Sequence, residues 1–319
     1  MNEVLKRLGE IGVIPVVKIE KASDALNLGK ALAAGGLPVA EITFRTDAAE
    51  ESIRIIAKQL PEVLVGAGTV LSVEQAKKAV AAGAKYIVAP GFNPKVVDYC
   101  IGAGVPITPG VSGPTEIEMA LDKGLEVLKL FPAGALGGLD YIKAISAPYG
   151  GVKFIPTGGI EPGNLKEYLS FPKVHAVGGT WVAKDAVISA GKFDEITKLS
   201  KEAVAIANAF ELAHLGINEA DAGKAMAQAE LMAKLFGMAV KDGNSSTFAG
   251  TGFEIMKSPY LGKYGHIALA VPNIARAIAF LKGKGIGIKA DTAKEKNGQM
   301  IAVYLDMELS GFAIHLLQK

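Results

Sequence analysis

From Val13 to about Gly179 the chain repeats one pattern: a short, nearly continuous run of Val, Ile and Ala, a turn, and then a stretch of helical periodicity. The runs are VIPVVK, VAEITF, LVGAGTV, YIVAPG, PITPGV, EVLKLF, KFIPTGG and VHAVGG, eight in all. A strand without polar alternation is buried on both faces, and helices such as VEQAKKAVAAG or PTEIEMALDKG between the runs let consecutive strands lie parallel. Eight such units in roughly 200 residues predict an α/β fold, a (β/α)8 TIM barrel, with its chemistry at the carboxyl ends of the strands.

Two of the runs carry charges. In EITFR the two-residue period of a strand puts Glu41, Thr43 and Arg45 on one face, and in VLKLFP it puts Lys129 beside Phe131. A charge in a buried strand costs several kcal/mol unless it has a partner or a task. Glu41 and Lys129 are therefore expected to work together at the barrel mouth, against the alternative of a purely structural ion pair. A lysine at its ordinary pKa of about 10.4 is a free amine in roughly one molecule in 2,500 at pH 7, so a nucleophilic lysine needs apolar walls or cationic neighbours. Leu128, Leu130 and Phe131 offer the walls; Lys18 and Arg45, at the ends of the first two strands, offer the positive charge.

The loops after the seventh and eighth strands, PTGGI and VGGTW, each hold paired glycines ahead of a helical segment. Backbone amides there can cradle a phosphate, with the hydroxyls of Thr157 and Thr180 as added donors. GAGTV after the third strand lacks a dinucleotide fingerprint, because Leu71 stands where the third glycine is needed. Thr69 in that segment is read as a polar group at the site mouth.

Half of the 319 residues are hydrophobic, 21% are charged and the net charge is +2, so no broad field for nucleic acid or an anionic membrane exists. Apolar stretches are broken well short of about 18 residues, and no membrane span is expected. The opening MNEVLKRLGEIGVIPVV reads as an amphipathic helix leading into a strand, not as a signal peptide. The single cysteine, Cys100, sits in an apolar helical pattern and is read as a core thiol in a reducing cytoplasm.

After the helix FDEITKLSKEAVAIANAF the pattern changes, and the boundary is placed near Phe210, giving domains 1–210 and 211–319. The second stretch holds a weak repeat, an α+β domain of paired βαβββ modules, whose opening strands start at AHLGIN and GHIALAV and whose closing strands follow glycines in FAGTGFEIM and SGFAIHLL.

Through IPVV, AEITFR, GAGTVLS, VAPG, ITPGV, LKLFPA, IPTGGI and VGGTW, the first two-thirds of the chain resembles the 2-keto-3-deoxy-6-phosphogluconate and 2-keto-4-hydroxyglutarate aldolases. That resemblance implies a class I aldolase, a cytoplasmic lyase of the Entner–Doudoroff kind. Lys129 would be its Schiff-base lysine, Glu41 its acid and base, and no cofactor would be needed. It makes Arg45 and Thr69 substrate-binding residues and has Pro90 and Phe131 shape the pyruvoyl pocket. Gly158, Gly159, Gly179 and Thr180 would hold the phosphate, Thr180 standing where relatives often have Ser, and Lys18 where some have Arg. A phosphorylated 2-keto acid is the implied substrate and a homotrimer the implied assembly. The second domain resembles the vicinal oxygen chelate, or glyoxalase-like, superfamily, in which the first and last strands of each module carry metal ligands. Here those positions are His214, Glu254, His266 and His315, the last replacing the usual glutamate, so a divalent metal is an expectation there. Three of the chain's four histidines fall on that set, and the fourth, His175, is read as packing. Two rival readings are a phosphate-binding barrel isomerase or epimerase, which would lean on acidic residues and a metal, and a non-catalytic sensor built on the C-terminal module.

Overall fold

The apolar runs form parallel strands: β1 (Val13–Val17), β2 (Val39–Thr43), β3 (Leu64–Gly68), β4 (Ile87–Val88), β5 (Ile107–Thr108), β6 (Gly110–Val111), β7 (Val127–Leu130), β8 (Lys153–Pro156) and β9 (Val177–Gly179). The computed structural model describes residues 2–319, so Met1 at the head of the expected N-terminal helix lies outside the described residues. Two compact units divide at Ala207 and Asn208. In the first, one sheet runs β5-β4-β3-β2-β1-β9 and another β6-β7-β8, and every pairing is parallel. Bridges from Phe154 to Val174 and from Thr157 to Gly178 carry the pairing from β8 to the β9 segment.

PITPGV was expected to be one strand and is two. The break falls at Pro109, which has no N–H to give its neighbour, although its carbonyl still accepts from the Lys129 amide at 3.0 Å.

Strand alternation sorts the side chains into two layers. Ile14, Val39, Tyr86, Val88, Val127, Ile155 and Ala176 cluster with Leu8 of the N-terminal helix Glu3–Ile11 and are nearly or fully buried. Val39 shares its strand face with Glu41 and Val127 shares its face with Lys129, so this apolar cluster lies directly beneath the charged pair. Helix Glu3–Ile11 starts with the Asn2 side chain accepting from the Val4 amide and stops at Gly12, whose φ of 81° is left-handed. A larger cluster, with Ile42, Val65 and Leu128 among its members, lies between the strands and their helices.

The second unit is one eight-stranded sheet in the order β11-β12-β13-β10-β14-β17-β16-β15. Its strands are β10 (Glu211–Asn218), β11 (Val240–Asp242), β12 (Ser246–Ala249), β13 (Phe253–Met256), β14 (Gly265–Val271), β15 (Ile288–Lys296), β16 (Gln299–Leu309) and β17 (Phe312–Gln318). Helix Ala222–Phe236 follows β10 and helix Ile274–Lys282 follows β14, each begun by a side-chain cap, from Asp221 and from Asn273. The two halves repeat one order around the antiparallel β10–β14 seam, and each half's first strand pairs in parallel with its last. Ile255, Ile314 and Leu316 belong to cores that also contain helix residues, Ala225 and Ala229 for the first and Ile274 and Ala277 for the others. Alternation therefore sends Glu254 and His315 to the opposite face.

Candidate active site and candidate metal centre

β2 and β7 bring Glu41 and Lys129 together, with Nζ of Lys129 at 3.5 Å from Oε1 of Glu41 and both side chains almost wholly buried. That distance is an ion pair but not a hydrogen bond, and Oε1 has no hydrogen-bond partner. The carboxylate fits only because β3 offers Gly68: a Cβ there would come within 2.2 Å of Oε1. The Phe131 ring centroid lies 5.3 Å from Nζ. Pro90 packs its carbonyl against Gly110, the residue in register with Lys129. Beneath Glu41 lies Tyr86, fully buried, whose hydroxyl donates to the Ala40 carbonyl at 3.1 Å. Burial, and secondarily the Glu41 charge, pushes the Tyr86 phenol well above its ordinary value. Sequence reasoning missed Tyr86, although its place in YIVAPG, two residues from Val88, gave it an inward face.

Lys18, Arg45 and Thr180 line one cavity of about 400 Å³, together with Thr43 and Asp185. Positive charge from Lys18 was expected to act on Lys129; instead Lys18 is held by Glu20 at 2.5 Å and faces Asp185 at 3.7 Å. The hydrogen bond and charge of Glu20 raise the Lys18 pKa and offset its field. Arg45 is exposed, and Thr43 is occupied by its hydrogen bond to the Val17 carbonyl at 2.8 Å. Thr69 takes φ of 55°, a left-handed conformation that is costly for a β-branched residue.

Gly158 and Gly159 sit at φ of 89° and 79°, in the left-handed region that glycine alone enters freely. Their carbonyls accept from the Gly134 amide at 2.9 Å and from Asn164 Nδ2 at 3.0 Å, a loop that can present amides to an anion. The Thr157 hydroxyl is buried without a hydrogen-bond partner against Gly178. Gly179 admits the Trp181 ring, and Thr180 precedes the short turn Trp181–Ala183. His175 lies away from these residues, its Nε2 at 2.6 Å from the Leu5 carbonyl.

On the C-terminal sheet, Gly216 of β10 registers with Glu254 on one side and His266 on the other, while Ala268 of β14 registers with His214 and His315. The four side chains thus meet on one face. Nε2 of His214 and Nε2 of His266 are 3.1 Å apart and lie 2.9 Å and 3.1 Å from Oε2 of Glu254. Gly216 makes room, since a Cβ there would strike the His266 ring at 2.1 Å. The histidine ligand atoms of the three all fall within 4.8 Å of one another. His315 stacks on Tyr304 with ring centroids 4.7 Å apart, and its buried Nε2 has no hydrogen-bond partner.

Burial alone would raise the Glu254 carboxyl, but His214, His266 and Ser246, whose Oγ donates to Oε1 at 2.6 Å, hold it far below the carboxylate range. Burial, with the neighbouring His266 and His214, pushes His315 down to about 3, leaving it a neutral imidazole. Three converging imidazoles, two of them with an orphaned ring nitrogen, Nδ1 of His266 and Nε2 of His315, and an ionised carboxylate fit a divalent transition metal.

The model for KDPG and KHG aldolase matches residues 4–199. The 2-dehydro-3-deoxy-phosphogluconate aldolase of Treponema pallidum is 48% identical over 206 residues, 65% of this chain and 98% of its own length. The KHG/KDPG aldolase of Escherichia coli K12 is 42% identical over 192 residues, 60% of this chain and 90% of its own. The KDPG aldolase of Legionella pneumophila, solved with pyruvate captured as a covalent carbinolamine, superposes with a TM-score of 0.60 at 38% identity, covering 62% of this chain and 96% of that one. With a family model spanning most of its length and relatives matched almost end to end, this chain belongs to the KDPG and KHG aldolase family.

Proposed function

We propose that the N-terminal unit is a closed (β/α)8 barrel and a class I aldolase, a lyase cleaving 2-keto-3-deoxy-6-phosphogluconate to pyruvate and glyceraldehyde 3-phosphate. It also cleaves 4-hydroxy-2-oxoglutarate, to pyruvate and glyoxylate. One observation carries the reading: Lys129 and Glu41 are buried 3.5 Å apart, with a carboxylate oxygen left without a hydrogen bond. The bridges between β8 and the β9 segment support closure of the barrel.

Neutral Lys129 attacks the C2 ketone, forming the Nζ–C2 bond as a proton held on Glu41 passes to the ketone oxygen. Glu41 takes the amine proton and returns it to the carbinolamine hydroxyl, which leaves as water. The resulting iminium draws in the electrons of the C3–C4 bond while the C4 hydroxyl proton passes to Glu41, and the aldehyde departs. Glu41 then protonates C3 of the enamine, and hydrolysis frees pyruvate and Lys129. The Schiff base is the electron sink, so this chemistry needs no cofactor. Arg45 and Thr69 would hold the substrate, Phe131 and Pro90 would shape its pyruvoyl end, and Thr157, Gly158, Gly159, Gly179 and Thr180 would hold the phosphate, with Lys18 at the edge. Borohydride quenching with pyruvate should place an adduct on the peptide bearing Lys129. Lys129→Ala should lower kcat on the order of 10⁴-fold or more. An adduct on another lysine refutes the assignment.

Residues 208–319 are read as two βαβββ modules of the vicinal oxygen chelate kind, in which His214, Glu254, His266 and His315 hold a divalent metal. That ion would supply Lewis acidity to an oxygen ligand. The order of the strands, their register and the chemistry of the donor set support this. Metal analysis after loading, on the parent and on His266→Ala, tests it: one equivalent retained by the parent and little by the variant is the expected result. Family likeness supports a homotrimer, which light scattering on the purified chain checks. The buried lone thiol of Cys100 is compatible with a cytoplasmic setting.

A further inference from the structure

Three neighbouring strands of the N-terminal unit, β2, β3 and β4, form a row beside the pair of Lys129 and Glu41. Glu41 registers with Gly66, and Ala67 registers with Ile87, so Gly66 has Glu41 on one side and Tyr86, the residue before Ile87, on the other. Gly68, two residues on, shares the same face of β3. The two glycines leave two hollows beside Glu41, and each is filled by a different side chain. A Cβ at Gly68 would lie 2.2 Å from Oε1 of Glu41 and 2.8 Å from its Cδ, whereas a Cβ at Gly66 would lie 2.4 Å from Cζ and Cε1 of Tyr86.

The Tyr86 ring therefore crosses β3 over Gly66, and its hydroxyl reaches β2, donating to the Ala40 carbonyl at 3.1 Å. That carbonyl belongs to the peptide unit between Ala40 and Glu41. The ring closes the hollow level with Glu41, and the hydroxyl ties down the backbone from which Glu41 projects. Only the hollow at Gly68, nearer the carboxyl ends of the strands, is left for the carboxylate, and there Oε1 lies 3.5 Å from Nζ of Lys129. Packing alone does not call for a tyrosine at this place. Every other buried member of the cluster beneath the pair is an aliphatic side chain, and a completely buried phenol needs a hydrogen-bond partner that those side chains do not.

We propose that Tyr86 is a positioning residue for Glu41: its ring denies the carboxylate the hollow at Gly66 and its hydroxyl fixes the peptide unit before Glu41, so that the side chain has one resting place, beside Lys129. This rests on the reading of Glu41 as acid and base given above. Without the ring the side chain gains a second place to lie, the competent arrangement becomes a fraction of the population, and each proton transfer slows by that fraction.

The step that reads Glu41 directly is exchange of the pyruvate methyl protons in D₂O. Glu41 takes a proton from C3 of the iminium on Lys129, the C–H electrons form the enamine, and a deuteron returns to C3. Exchange is followed by NMR on the full chain, at a temperature below the melting of every variant, with borohydride trapping of saturating pyruvate alongside. Tyr86→Leu should slow exchange roughly tenfold or more while trapping on Lys129 reaches the parental extent. Tyr86→Phe, which keeps the ring, should stay within about fivefold, the worth of one neutral hydrogen bond. Phe154→Leu, a comparable truncation in the cluster between strands and helices, should leave exchange unchanged. Parental exchange in Tyr86→Leu, or an equal loss in Phe154→Leu, overturns the proposal. Parental exchange in Glu41→Gln overturns the reading of Glu41 itself, whereas slow exchange in Glu41→Gln beside fast exchange in Tyr86→Leu overturns only the role of Tyr86. Where Tyr86→Leu does not fold, Gly66→Ala, whose Cβ displaces the ring, takes its place: slowed exchange supports the proposal and parental exchange overturns it.

Discussion

Gly68 decides where the Glu41 carboxylate can sit, because the smallest side chain at that position would occupy the place of Oε1. Gly68→Ala should therefore displace the carboxylate from Lys129 and lower kcat/KM at least roughly tenfold, since misplacement of about 1 Å costs as much as a hundredfold. Pyruvate release measured beside the thermal midpoint checks it: activity must fall further than stability. At the histidine cluster of the C-terminal sheet, His315 is depressed to about 3 while an unfolded histidine titrates near 6.5. Between those values the unfolded chain binds the extra proton, so the metal-free unit loses stability as pH falls from about 6.5 toward 3. Glu254, also depressed, adds to the loss at the acid end of that window. Melting of the metal-free chain across this range should show the decline, and His315→Phe should flatten it.

At the scale of the elements, one large residue stands out among the inward-facing side chains of the parallel strands. Tyr86 is fully buried against Gly66, where a Cβ would lie 2.4 Å from its ring. Tyr86→Ala should cost about 3 to 5 kcal/mol, the usual range for a buried aromatic truncated to alanine, and urea unfolding measures it. The face shared by Glu41 and Thr43 was legible because a strand's period of two leaves no choice once the apolar run is recognised. The same period put Lys129 beside Phe131. Two things were not legible. The proline in PITPGV sat in a run apolar enough to read as continuous, and only the missing donor at Pro109 separates β5 from β6. The pairing of Lys18 with Glu20 and Asp185 depends on loop conformation and on a residue from the far end of the barrel sequence, neither of which has a periodic signature. In the C-terminal sheet the histidine positions stood out as repeats, whereas Ser246, which fixes one oxygen of Glu254, looked like any strand serine.

Across the whole molecule, the Lys129–Glu41 pair and the paired-glycine loops lie before Ala207, and the family model's match ends at residue 199, within that unit. A chain ending at Asn208, the last residue of helix Phe193–Asn208, should therefore keep the kcat of the full protein in a coupled pyruvate assay. Loss of turnover in that truncation would show that the aldolase needs its C-terminal unit. The seam between β10 and β14 has a consequence of its own. His214 and Glu254 come from one side of it and His266 and His315 from the other, so an ion held by all four would act as a rivet across the midline of the sheet. By mass action, saturation a hundredfold above the dissociation constant would hold the halves together by about 2.7 kcal/mol more than the bare chain, and a chelator would remove that reinforcement.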